Sequence, residues 1–301
     1  MTCCVAALCD DRKGIVLVSD KMIGMVGMES EPDISKIFRL HNDWWVMLAG
    51  DGISPAFDII DRAKQSLSRR KSISVSKAIA VVSSSFYEKR EQEAETTYLT
   101  PMGWTIKKFN SSASKTLPES VRLNLIYQLA SYSLPISLLV VGFDDSGRGH
   151  IFSIEDGPQT MSKGLPQRHD LPGYYSIGSG SFGALYMMGY REVGPKMAVR
   201  EALYYAVEGK YFGEFASGVG LRTDLLILRY KRPFIRLSEK AVDKKLMKLC
   251  ERLGPRDLIN SGVDVLNSLH GKRMNTIPQL RVAGKSKDRK ITILKPSPIS
   301  P

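Results

Sequence analysis

The 301-residue chain has little of what marks a membrane-spanning, disulfide-framed or metal-binding protein. No uncharged apolar run approaches the roughly 20 residues that cross a bilayer, so nothing argues for membrane insertion. The opening MTCCVAALC is apolar, yet it has no basic segment and runs straight into Asp10, Asp11 and Arg12. That is a poor signal peptide, and the expected location is cytoplasmic. Cysteine is scarce, with Cys3, Cys4, Cys9 and Cys250 making four, too few to frame a chain of this length. Three of them share one apolar stretch and are expected to behave as small buried hydrophobes. They lack CxxC spacing and a nearby histidine, which argues against a metal site. No motif calls for a cofactor.

What is present is ordinary for a globular protein: 43% apolar and 25% charged residues, enough for one core and a smaller appendage. The net charge of +12 is unevenly placed. From Lys231 onward there are 17 Lys+Arg against 6 Asp+Glu, a balance of +11, whereas residues 1–230 carry 26 against 25. This asymmetry sets a boundary between a body, 1–230, and a basic extension, 231–301. The extension reads as two amphipathic helices, at 239–253 and 255–269, with a disordered KPSPISP end. Its aromatic content is Phe234 alone, which argues against a nucleic-acid partner. A solvated appendage is favoured over a patch for acidic partners.

The first fifty residues read as two hairpins. Cys3–Leu8 and Ile15–Ser19 flank the turn 10–14, and Ser35–Leu40 and Trp44–Ala49 flank the turn 41–43. These strands are apolar on nearly every residue, as in strands covered on both faces. Helices are predicted over 55–67, with Ser54 as N-cap, and over 75–87. Residues 91–119 are polar and interrupted by Pro101 and Gly103, so a loop-like insertion is expected there. Strands follow at 136–143, 150–154 and 174–177, helices from Phe182 and over 197–211, and a last strand at 224–230. This order predicts an α+β protein, a four-layer αββα sandwich.

The hairpin registers place Thr2 opposite Asp20 and Lys21, and Lys36 near Leu48 and Gly50. A threonine, an aspartate and a lysine then stand at the open ends of otherwise apolar strands, an arrangement suited to catalysis. One rival motif is Gly178-Ser179-Gly180-Ser181-Phe182-Gly183, formally a dinucleotide fingerprint. A second strand ending in an acid should come next, but GPKMAVREALYYAVEGK reads as a helix, and the dinucleotide reading fails there.

The segments TCCVAALCDDRKGIVLVSDKMIG and SKIFRLHNDWWVMLAGDG resemble the proteasome β-subunit family and its simple bacterial relatives. The resemblance recurs in LLVVGFDDSGRGHIFSIEDG, YYSIGSGSFGALYMM, MAVREALYYAV and EFASGVG, and covers about residues 2–230 without the insertion. It implies the N-terminal nucleophile (Ntn) hydrolase fold and a threonine hydrolase that cleaves peptide bonds. Thr2, freed by loss of Met1, would be the nucleophile and its α-amine the base. Lys36 would assist electrostatically, Asp20 would hold Lys36, and the Gly50 N–H would form the oxyanion hole. Ser179 matches the serine near the amine, Ser217 a second supporting serine, and Glu214 the position where the family usually has aspartate. Met22 stands where arginine is common. The resemblance further implies a homo-oligomeric ring acting on peptide or unfolded protein, and leaves an ATPase partner open. The alternatives are a catalytically silent ring subunit and a binding module working through the basic extension.

Overall fold

A tight turn after the first strand sets the register of the opening hairpin. In the computed structural model, β1 (Cys4–Cys9) and β2 (Gly14–Asp20) pair antiparallel, with Cys4 opposite Ser19 and Cys9 opposite Gly14. Asp10, Asp11 and Arg12 all take positive φ in the turn between them. The Asp10 carboxylate then accepts a hydrogen bond from the Val199 N–H at 3.2 Å, capping a distant helix. The structure describes residues 2–25, 28–30, 34–50, 53–68, 72–156 and 164–237. The predicted extension helices and the KPSPISP end lie outside these residues.

After β2 come a short hairpin of β3 (Ile23–Met25) and β4 (Met28–Ser30), then β5 (Ile37–Arg39) and β6 (Trp44–Gly50). Helices α1 (Ile53–Leu67) and α2 (Val75–Tyr98) are next, then α3 (Ile106–Phe109) and α4 (Glu119–Ser131). The second half runs β7 (Ile136–Phe143), β8 (Gly149–Glu155), β9 (Gln167–Arg168), β10 (Tyr174–Ile177), α5 (Ser181–Tyr190), α6 (Val199–Gly213), β11 (Thr223–Arg229) and β12 (Ile235–Leu237). The protein is thus mixed α and β, with two five-stranded antiparallel sheets. One has the order β10-β1-β2-β11-β12 and the other β5-β6-β7-β8-β9.

Three buried clusters show how these pieces pack. Val5, Ala7, Val16 and Val18 meet Ala202, Leu203 and Ala206 of α6. Val46, Leu48 and Val140 meet Ile59, Ile60, Val82 and Phe86 of α1 and α2. Between the sheets, Ala6, Leu8, Ile15 and Leu17 meet Met47, Leu139, Val141 and Ile151. Strands sandwiched in this way are buried on alternate residues in both directions, which explains their unbroken apolar runs. Each fully buried Leu or Ile contributes about 1.5–3 kcal/mol.

Several expectations are corrected. Helix α1 begins at Ile53, so Ser54 lies inside it instead of capping it. Helix α2 runs to Tyr98, well past residue 87, because residues 91–95 are good helix formers, with Glu93 paired to Lys89 and Glu95 accepting from Ile106 N–H. The stretch expected as a loop, 91–119, is largely helical, and with α4 it forms a small core of Leu99, Phe109 and Leu125. Strand β12 lies beyond Lys231 and pairs with β11, Leu225 opposite Leu237, so the charge boundary precedes the last strand of the body.

Candidate active site

The register that pairs Cys4 with Ser19 carries on past the strand end, where Asp20 N–H donates to Cys3 O at 3.1 Å. In the other hairpin Ile37 pairs with Met47, and Leu48 N–H donates to Lys36 O at 3.3 Å. Thr2, Asp20 and Lys36 therefore converge at one mouth of the sheets, and all three are buried. Lys36 Nζ donates to Thr2 Oγ1 at 2.6 Å and to both Asp20 oxygens at 2.9 and 3.0 Å.

A buried carboxylate needs every lone pair occupied, and Asp20 has that. Besides Lys36, its Oδ1 accepts from Cys3 N–H at 2.9 Å. Its Oδ2 accepts from Met22 N–H at 3.0 Å and Gly220 N–H at 3.1 Å. The residue before Lys36 is anchored as well. Ser35 Oγ donates to Asp224 Oδ2 at 2.5 Å, and Arg236 grips the same carboxylate through two nitrogens, at 2.8 and 2.5 Å. Asp224, Ser35 and Arg236 were missed in the sequence. The signal that could have found Asp224 is an acid opening an apolar strand, TDLLIL.

Ser179 lies beside the Thr2 nitrogen, whose N–H donates to its Oγ at 3.2 Å. The glycines beside it are required sterically. A Cβ on Gly178, whose φ is +96°, would stand 2.2 Å from Thr2 O, and one on Gly180 would stand 2.8 Å from Cys3 Cβ. Close approach of the N-terminal strand, and no phosphate loop, accounts for this glycine-rich turn. Gly50, at φ +131°, has Pro135 O only 2.2 Å from where a Cβ would be. Because Leu48 N–H faces β5, strand alternation directs Gly50 N–H to that same edge, beyond the start of β5 at Ile37 and away from β7.

Glu214 and Ser217 fit less closely. The Glu214 carboxylate pairs with Lys210, a lysine with no exposed surface whose Nζ also donates to Leu221 O at 2.9 Å. Glu214 thus neutralises a buried cation beside Cys3. Ser217 is exposed in the turn after α6, and among the described residues no hydrogen bond ties it to the group around Lys36. The rival nucleophiles are poor ones: burial pushes the Cys3 thiol up to about 12, with the Asp20 charge adding to it. Burial likewise raises Cys4 well above its ordinary value. Among the described residues no group of His, Cys, Asp and Glu is arranged to hold a metal ion, and no helix is long and apolar enough to cross a membrane.

No family model matches the chain, and no curated protein matches it.

Proposed function

We propose that the protein is a threonine-type N-terminal nucleophile hydrolase that cleaves amide bonds in peptides. In this reading its two sheets and their outer helices form the αββα sandwich of the Ntn fold. The observation that carries the reading is the contact of Lys36 Nζ with Thr2 Oγ1 at 2.6 Å, with Asp20 clamping the same ammonium. A buried ion pair is costly to build, and one aimed at a hydroxyl at the head of the chain has a chemical use.

Once Met1 is removed, the Thr2 nitrogen is a primary amine with an ordinary pKa of about 7.7–8.0, suited to accepting the Oγ proton near neutrality. The Oγ attacks the substrate carbonyl carbon and the oxyanion faces the Gly50 N–H. The amine then protonates the departing amine as the peptide bond breaks, leaving an ester on Thr2. Water hydrolyses that ester by the same proton relay. Lys36 stabilises the developing negative charge on Oγ, Asp20 positions Lys36, and Ser179 orients the amine. Losing an oxyanion donor such as Gly50 N–H costs roughly 3–4 kcal/mol in such sites.

The deciding experiment compares protein with a non-cleavable tag before Met1 to protein processed to Thr2. The tagged form keeps every side chain but its base is an amide, so it should be inactive, and cleavage that exposes Thr2 should restore turnover. Equal peptide hydrolysis by both forms would sink the reading.

Self-assembly belongs to the same reading and has its own support. Phe182, Tyr186 and Tyr190 recur every fourth residue along α5 and are each at least two-thirds exposed. An aromatic stripe of this kind marks a contact surface. A homo-oligomer is expected by native mass spectrometry, and a lone monomer at micromolar concentration would contradict it. Peptide or unfolded protein is the expected substrate, and an ATPase partner stays open.

A further inference from the structure

The end of the sheets remote from Thr2 is built quite differently. Asp20 pairs with Thr223 and Gly14 with Arg229, so the two ends lie six residues apart, about 20 Å along the strands. A cleft of about 420 Å³ opens there between the β5–β6 turn and the β11–β12 connection. Its walls carry Arg39, Arg229, Lys231 and Arg232, against one carboxylate, Asp43. Arg232 N–H donates to Arg229 O at 3.1 Å and Lys231 has a positive φ, so a tight turn crowds three cations into four positions.

These cations are poorly matched by acids. Arg229 Nε is buried without an acceptor, and the nearest carboxylate to that guanidinium, Asp10, is 3.9 Å away. No carboxylate among the described residues pairs with Lys231 or Arg232. Arg39 is pinned by His41 O and by Asn42 O and Oδ1, each at 3.2 Å, which fixes its guanidinium at the rim. Apolar rings complete the lining: Phe234 meets Trp45 edge-on at 5.1 Å and is 45% exposed.

We propose that this cleft binds a mononucleotide, its phosphates held by the four cations and its base set against Phe234, which buried Trp45 backs. Convergent cations around a cleft focus a positive potential, and guanidinium forks match phosphate oxygens. The volume falls within the roughly 300–1,000 Å³ of small-molecule sites, more than a bare phosphate needs, and an aromatic face beside cations suits a base.

The test is calorimetric titration of the full chain with ATP, AMP, adenosine, inorganic phosphate and a short single-stranded RNA, alongside thermal melts. ATP should bind saturably and raise Tm, adenosine should not bind, and inorganic phosphate should bind at least about 10-fold more weakly. A Lys231→Ala/Arg232→Ala variant, changing two exposed side chains, should keep the unliganded Tm and lose at least about 10-fold in ATP affinity. Phe234→Ala should weaken ATP binding while leaving that of inorganic phosphate unchanged. No saturable ATP binding, unchanged affinity in the double variant, phosphate binding as tightly as ATP, or RNA binding more tightly than ATP would each overturn the assignment. Because the readout is binding, it stands or falls apart from any hydrolysis at Thr2.

Discussion

At one end of β2 and β11 the chain buries Lys36 against Asp20 and gives both a full set of partners; at the other it leaves a crowd of cations half in solvent. Asp20 accepts from Lys36 and from three backbone N–H groups. Arg39, Lys231 and Arg232, by contrast, are exposed, and no carboxylate among the described residues pairs with Lys231 or Arg232. Burial makes the difference. In a dry environment an unpaired charge costs several kcal/mol, so the Thr2 end tolerates charge only inside a closed network. At the wet end screening makes each charge cheap and each pair weak, and unmatched cations persist until a ligand matches them.

Removing Lys36 tests the closed network most severely. On the proposed mechanism Lys36→Ala should lower peptide turnover by at least about 10³-fold, because the group that contacts Thr2 Oγ1 is gone. It should also destabilise by roughly 3 kcal/mol, the lower end of what breaking a buried pair costs, since Asp20 keeps its three N–H donors. Adding Asp20→Asn removes the unpaired charge but turns an NH2 toward backbone N–H donors, so it should recover at most part of the stability and none of the turnover, which separates the two roles. At the wet end, Arg168→Ala removes an ion pair to Asp170 whose arginine is half exposed, and should cost under about 1 kcal/mol. Denaturant midpoints for the three proteins check the contrast. A Lys36→Ala protein with near-normal turnover, or an Arg168→Ala protein destabilised as much, would erase it.

The closed network was also the more legible of the two in the sequence. Runs of apolar residues broken by Asp-Asp-Arg-Lys-Gly and His-Asn-Asp fix two hairpin registers, which set Thr2 by Asp20 and Lys36 by Leu48; the packing of the two sheets then brings both ends to one mouth. What stayed hidden was long-range. Asp224, Ser35 and Arg236 come from segments far apart in the chain. The small core of Leu99, Phe109 and Leu125 is built from apolar residues spaced across a polar stretch, with no local periodicity to show it. Glu214 was visible as an acid, but its partner Lys210 lies one helical turn earlier and reads as an ordinary helix cation until its burial is known. The cleft at the wet end needed β12, which a basic, proline-containing segment did not suggest.

His169 handles charge in a third way, by staying neutral, and it gives a smaller effect with a definite sign. It stacks on Tyr175 with ring centroids 3.5 Å apart, and its Nε2 lies 2.8 Å from Ser153 Oγ. Burial lowers its pKa from 6.5 to about 4, although Asp170 pulls the other way. Between those values the unfolded chain binds a proton that the native state refuses. Stability should therefore fall as pH drops from about 6.5 to about 4 and then level off, by at most about 3 kcal/mol. Asp144, held at about 2 by Ser146 and His150 against the opposing effect of burial, acts in a lower window: its contribution is present above about 4 and lost as pH falls through 2. Urea midpoints from pH 7 to 4 should slope in the parent and flatten in His169→Gln. A flat parent profile would remove the claim.

The smallest expected effect is none, and it bears directly on which atom attacks. Cys3 and Cys4 adjoin Thr2, and sulfur is intrinsically the better nucleophile, so proximity alone does not exclude them. Reactivity, however, belongs to the thiolate. Both side chains have no exposed surface. Cys3, pushed up to about 12, is almost wholly a thiol at neutral pH, and Asp20 beside it opposes ionisation further. The Lys36 ammonium, which lowers the Cys4 pKa, is outweighed there by burial. Alkylation of the folded, processed protein near pH 7.5 should leave Cys3 and Cys4 unmodified and peptide hydrolysis unchanged, while the same reagent in urea should label both. Peptide mapping distinguishes them from Cys250, and Cys3→Ala, which removes a buried sulfur beside Gly213 and Gly180, controls for steric blockage. If alkylation abolishes turnover and the adduct maps to Cys3 or Cys4, the nucleophile is sulfur and the network around Lys36 serves another purpose.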